Sequence, residues 1–103
     1  MTAPKSNEQI RTRIKKVFEK VCRNNGCTMD GLRFYSPKQW KERGERYGQN
    51  SVMSTIFEEH QGMYYTMNAI GSFKLQNELV EELAKIGYWF ELGNSWYLSI
   101  YEL

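Results

Sequence analysis

One imidazole, two thiols and two adjacent carboxylate pairs are the side chains of this sequence best suited to chemistry. His60 is the single histidine and lies in Glu58-Glu59-His60-Gln61-Gly62. Imidazole is the usual base that activates a Ser or Cys nucleophile, so a triad would have to be assembled around His60. A short polar cluster ending in Gly between two apolar runs reads instead as a solvated turn. Cys22 and Cys27 stand five residues apart, with His60 as the one further soft or nitrogen ligand. Structural zinc takes four sulfur or nitrogen ligands, commonly from closely spaced pairs. This set is one short and spaced differently, so no metal and no other cofactor is expected. Cys22 follows Phe18 by four residues on an apolar stripe and should pack as a small hydrophobe.

The carboxylate pairs are Glu58-Glu59 and Glu81-Glu82. Neighbouring helical residues diverge by about 100°, so Glu81 and Glu82 do not converge on one point. Glu81 precedes Lys85 by four and Lys74 precedes Glu78 by four, the spacing of helix-surface ion pairs. Neither GxGxxG nor GxxxxGK[ST] occurs, which removes the glycine-rich phosphate loops. The expectation is a protein that is not an enzyme.

Two sets of residues remain as candidates for binding. Arg13, Lys16, Lys20 and Arg23 recur at 3-4-3 spacing opposite an apolar stripe, with Arg11 and Lys15 beside them. Lys38, Lys41, Arg43 and Arg46 follow in a second segment. Such faces can track phosphates while Trp40, Tyr35 or Phe34 stacks on bases. They can equally be solvated surface, with Glu19 and Glu42 each four residues before an arginine. The second set is aromatic. In an alternating strand Trp96, Leu98 and Ile100 point one way, as core, and Tyr97, Ser99 and Tyr101 the other. Tyr97 and Tyr101, together with Trp40 and with Tyr88 or Phe90 nearby, would make an amphipathic face suited to a protein partner.

The elements that must position these residues follow from periodicity and caps. Ser6-Asn7-Glu8-Gln9 matches a capping box, and Ile10, Ile14, Val17, Phe18 and Val21 share a helical face, which predicts helix 1 over 7–24, stopped at Gly26. A short strand is expected within Leu32–Tyr35. Ser36-Pro37-Lys38-Gln39 opens a second helix, expected to carry Trp40, Gly44 and Tyr47 and to end at Gly48. Ser51–Phe57 and Met63–Met67 read as two strands around the polar turn. Ser72–Gly87 is a third helix with Leu75, Leu79, Leu83 and Ile86 as its stripe. Tyr88–Leu92 and Ser95–Tyr101 form a hairpin, in which Gly93 is expected to supply a positive φ. The chain is thus expected to be α+β: a loose tail at 1–5, then a single small domain over 6–103. That domain has a four-stranded, mostly antiparallel sheet with about three helices, in the order α-(β)-α-β-β-α-β-β.

The 103 residues carry a net charge of +2, with 41% hydrophobic and 15% aromatic content. A chain of this length can close one core without staples. Residues 1–50 hold twelve basic against five acidic side chains, and residues 51–103 two against seven, which predicts a two-faced electrostatic surface. No apolar run reaches the length of a membrane span. The N-terminus lacks the apolar centre of a secretory signal, and two cysteines fit free thiols in a reducing compartment, so the expected location is cytoplasmic.

Glu45-Arg46-Tyr47-Gly48-Gln49-Asn50-Ser51, His60-Gln61-Gly62, Gly87-Tyr88-Trp89-Phe90-Glu91 and Trp96-Tyr97 together resemble small uncharacterised proteins encoded by bacteriophages and mobile elements, over about half the chain. The resemblance implies an accessory protein that binds and blocks a factor of the host cell, including a component of host defence, and brings no catalytic residues with it. The resulting expectation is a protein-binding accessory chain. Direct nucleic-acid binding through helices 1 and 2 is the alternative.

Overall fold

The apolar stripe of the first helix is the largest single contribution to the core, and the sheet forms beneath it. The computed structural model describes residues 7–103, so the tail at 1–5 and the cap at Ser6 lie outside the described residues. The elements are α1 (Asn7–Asn24), β1 (Arg33–Tyr35), α2 (Pro37–Glu42), β2 (Met53–Ile56), α3 (Gln61–Met67), α4 (Lys74–Lys85), β3 (Tyr88–Leu92) and β4 (Tyr97–Glu102). The four strands form one antiparallel sheet in the order β1-β2-β4-β3. The architecture is therefore α+β.

Alternation along the strands sorts their side chains between two faces. Met53 opposes Ile100 and Thr55 opposes Leu98 on one face, while Ser54 opposes Ser99 and Ile56 opposes Tyr97 on the other. The first face is closed by Ile14, Phe18 and Val21 of α1, Met63 and Met67 of α3, and Leu75, Leu79 and Leu83 of α4. The Phe18 ring meets Phe34 of β1 edge-on, centroids 5.3 Å apart, a geometry favoured by the aromatic quadrupole. Among the described residues, α2 is the one helix on the second face. Its Trp40 is wholly buried against Ile56 and Tyr97 and donates its indole N–H to the Tyr47 carbonyl at 2.7 Å.

α2 begins as expected, with Ser36 and Gln39 each accepting the other's backbone N–H. It stops at Glu42 rather than Gly48, because Gly44 has φ +86 and leaves the helical region. The chain then folds back over the second face. There a hydroxyl seam runs from the Gly48 carbonyl through Ser51 and Ser54 to Ser99, with Ser54 and Ser99 2.8 Å apart. A side chain at position 48 would overlap the Ser99 hydroxyl, so glycine is needed here for close approach as well as for its φ of +82.

Two further expectations are corrected. Met63–Met67 is the helix α3, not a strand, so the observed order is α-β-α-β-α-α-β-β. Met63, Thr66 and Met67 turn one helical face inward, and the chain enters the helix through His60, whose ring accepts the Met63 N–H. The short strand β1 takes the fourth place in the sheet. At the hairpin, Gly93 is not among the positive-φ residues; an added Cβ would instead collide with the Tyr97 ring.

Replacing Trp40 by Ala should lower stability by about 3–5 kcal/mol in urea unfolding, the usual cost of deleting a buried large aromatic. A loss below about 1 kcal/mol would show that this side chain does not seal the second face.

Candidate functional site

The expected basic residues do not form one surface. Phe34 and Tyr35 are neighbours on β1 and point to opposite faces; α1 packs over the first and α2 over the second. The α1 set (Arg13, Lys16, Lys20, Arg23) and the α2 set (Lys38, Lys41, Arg43) therefore flank the sheet from opposite sides. Lys20 is bound to Glu82 of α4 at 3.1 Å, and Arg23 pairs with Glu19 at 3.9 Å. Asn24 donates to Glu78 of α4, so acidic residues of the second half of the chain lie directly against the basic first half. The two-faced charge distribution expected from sequence is mixed away at this contact. Arg13, Lys16, Lys38 and Lys41 are exposed and have no ion pair among the described residues.

Arg43 lies over the rings of Tyr35 and Trp40, 4.9 and 5.6 Å from their centroids, and pairs with Glu45. It borders a cleft of about 260 Å³ shared with Arg33, Ile56, Glu58, Glu59 and Trp96. Arg33 reaches Glu59 at 3.4 Å there. With both cations paired to carboxylates, this cleft has no surplus positive charge to hold an anion.

The aromatic set divides sharply. Trp40 is 0% and Tyr97 5% exposed, which corrects the expectation that they present themselves to a partner. Both lie under the α2 side of the second face, where their rings are 4.9 Å apart. Burial, and then the Glu45 carboxylate, push the Tyr97 phenol above its ordinary range. Tyr101, four residues on, is half-buried and points to the same face. There it stacks on its cross-strand partner Trp89, centroids 5.1 Å apart and planes inclined by 29°. Trp89 is 41% exposed, and Tyr47, on the loop that follows α2, is 76% exposed. Glu91 lies on the same strand face as Trp89, and no cation pairs with it among the described residues. Trp89 escaped the sequence reading because Tyr88 or Phe90 was expected beside Tyr97 and Tyr101; the register sets Phe90 against Ile100 and Trp89 against Tyr101, so Tyr88 and Phe90 join the first-face core instead.

Among the described residues β3 is also an edge of the sheet with no strand beyond it. The opposite edge, β1, is only three residues long and carries Arg33, with Lys15 set 5.6 Å from the centre of the Phe34 ring. Shortness and charge are the usual guards of an edge strand. β3 has five residues, Tyr-Trp-Phe-Glu-Leu, and one charge.

His60 is buried, not a solvated turn residue as expected. Its Nδ1 accepts the Met63 N–H at 3.0 Å, so Nε2 carries the ring proton and donates to the Thr28 carbonyl at 2.7 Å. Cys22 Sγ is 3.7 Å from the same Nε2, and the ligand atoms of Cys22, Cys27 and His60 all lie within 4.8 Å of one another. The proximity suggests a metal centre, but the hydrogen bonding opposes one. A cation on Nε2 would move the ring proton to Nδ1, where it would face the Met63 N–H and break the helix cap. Sequence reasoning missed the convergence of the thiols. α1 ends in a Schellman motif: Gly26, φ +74, sends its N–H to Arg23, and Cys27 sends its N–H to Cys22. That motif brings the side chains of its first and last residues together, so five-residue spacing with an intervening glycine is the signal.

Searches against family models, curated proteins and solved structures find no match to this chain.

The Lys20 contact has a pH signature. Hydrogen bonds from Lys85 and Lys20 hold the Glu82 carboxyl below its ordinary value. A depressed folded pKa stabilises the native state above the unfolded value, and that stabilisation is lost as pH falls through the folded one. Glu82→Gln should therefore be less stable than wild type in urea unfolding at about pH 7, with the difference vanishing by about pH 2–3. An equal difference at both pH values would mean that neither Lys85 nor Lys20 is held by Glu82.

Proposed function

We propose that this chain is a non-catalytic binding protein that masks a surface of a protein partner. The partner presents an extended segment bearing Lys or Arg to the open half of the second sheet face. The observation that carries this reading is the Trp89–Tyr101 stack, exposed at Trp89, on a strand whose outer edge is unpaired among the described residues. A free edge offers backbone hydrogen bonds to an added strand, and the flanking side chains select what that strand carries. Stacked aromatic faces attract cationic groups, and the unpaired Glu91 adds a carboxylate beside them. Large rigid rings supply contact area at little entropic cost.

The non-catalytic part of the reading is supported by His60, whose two ring nitrogens are both engaged inside the core, leaving no imidazole facing solvent. The reading agrees with the role implied by the resemblance to phage accessory proteins, a chain that binds and blocks. It moves the contact from the helical cations to the β3 edge.

The test is to retrieve the partner with the full chain and titrate it against purified variants. Trp89→Ala and Tyr101→Ala should each weaken the complex roughly 30-fold or more, as central aromatic anchors do. Both variants should retain a cooperative unfolding transition. Lys16→Glu and Lys38→Glu should leave affinity within about threefold at moderate salt. If the lysine reversals abolish binding while Trp89→Ala is silent, the reading fails. A steep decline of affinity for single-stranded nucleic acid with salt would then favour the α1 surface.

A further inference from the structure

We propose that Cys22 and Cys27 form a reversible disulfide by exchange with small-molecule disulfides, which makes the C-terminal cap of α1 a redox modification site. Both cysteines are free thiols here. The Schellman turn that ends α1 holds the two backbones together through the 2.9 Å bond from the Cys27 N–H to the Cys22 carbonyl. The Cys27 thiol already donates to that same carbonyl, at 3.4 Å, and the two sulfurs are within 4.8 Å of each other. Closing a bond of about 2 Å then requires side-chain rotation at a turn whose backbone is already in place.

The two thiols differ in the way such a reaction needs. Cys27 is part-exposed and can be reached by a reagent, whereas Cys22 is fully buried and rests 3.7 Å from His60 Nε2. In the first step the Cys27 thiolate attacks one sulfur of oxidised glutathione, forming a mixed disulfide and expelling one glutathione thiolate. In the second, Cys22 loses its proton to solvent and attacks Cys27 Sγ, expelling the second glutathione thiolate. The chain loses two electrons and two protons, and one glutathione disulfide becomes two reduced glutathiones. Burial, the largest cause of the raised Cys22 thiol in the reduced chain, persists once Cys27 carries glutathione, so the second step is the slower one and accelerates with rising pH. The His60–Met63 bond takes no part, and the α3 cap survives oxidation.

The test incubates the folded full chain in glutathione buffers of increasing oxidised fraction, quenches with acid, alkylates with N-ethylmaleimide and weighs the intact protein. The expected product is two hydrogens lighter than the reduced chain, takes up no maleimide, melts at a higher temperature and reverts with dithiothreitol. Cys22→Ser should stop at one glutathione adduct on Cys27, and Cys27→Ser should acquire none while folded. If either variant fails to fold, the wild-type comparison decides: at equilibrium the disulfide should form at a lower oxidised fraction of glutathione in the folded chain than in urea. Full maleimide labelling in the most oxidising buffer, or closure no more favourable at equilibrium in the folded chain than in urea, overturns the proposal. So does stoichiometric zinc retention that protects both thiols from oxidation.

Discussion

Strands β2 and β4 are buried on both faces, and the rest of the molecule is arranged around that requirement. A sheet whose central strands carry inward-facing residues on either side needs two covers. The first is generous: three helices lay apolar stripes over Met53, Leu98 and Ile100. The second is a single short helix and the loop after it, and its reach is about the span of one indole ring. Trp40 fixes how far that cover extends, because its N–H is tied to the Tyr47 carbonyl and its ring fills the space between Ile56 and Tyr97. Beyond it the sheet is open, and Trp89 and Tyr101 are what it shows.

This division explains why aromatic residues four apart on one strand face have opposite fates. Tyr97 and Tyr101 share a side of β4, yet one lies beneath α2 and the other past its edge. Alternation assigns a face, not a cover, so no reading of β4 alone could separate them. The helices α1 and α4 were legible because each has a long apolar stripe at helical spacing, and α1 occupies the predicted 7–24. The segment Met63–Met67 was not, since five residues without a charged side chain offer no clear period, and the decisive bond comes from His60. α2 was legible at its start, where the capping box is local chemistry. Its end was not, because Gly44 turns the chain back to meet a sheet distant in sequence.

The same logic applies to the cationic residues. Their spacing on α1 was correctly read as a stripe, but a stripe is not a free surface until its neighbours are known. Glu82 and Glu78 of α4, about sixty positions away in sequence, engage Lys20 and Asn24. The thiol pair is the converse case: Gly26 makes Cys22 and Cys27 adjacent through a local cap, and His60 joins them only through tertiary packing. Local motifs could have revealed the first contact, and no local motif could have revealed the second.

Acrylamide quenching of variants that retain one tryptophan at a time tests the half-covered sheet most directly. The account predicts that Trp40 fluorescence resists quenching in the folded chain while Trp89 is readily quenched, with the two becoming alike in urea. Equal quenching of Trp40 and Trp89 in the folded chain would contradict it, because the second face would then be either wholly open or wholly closed.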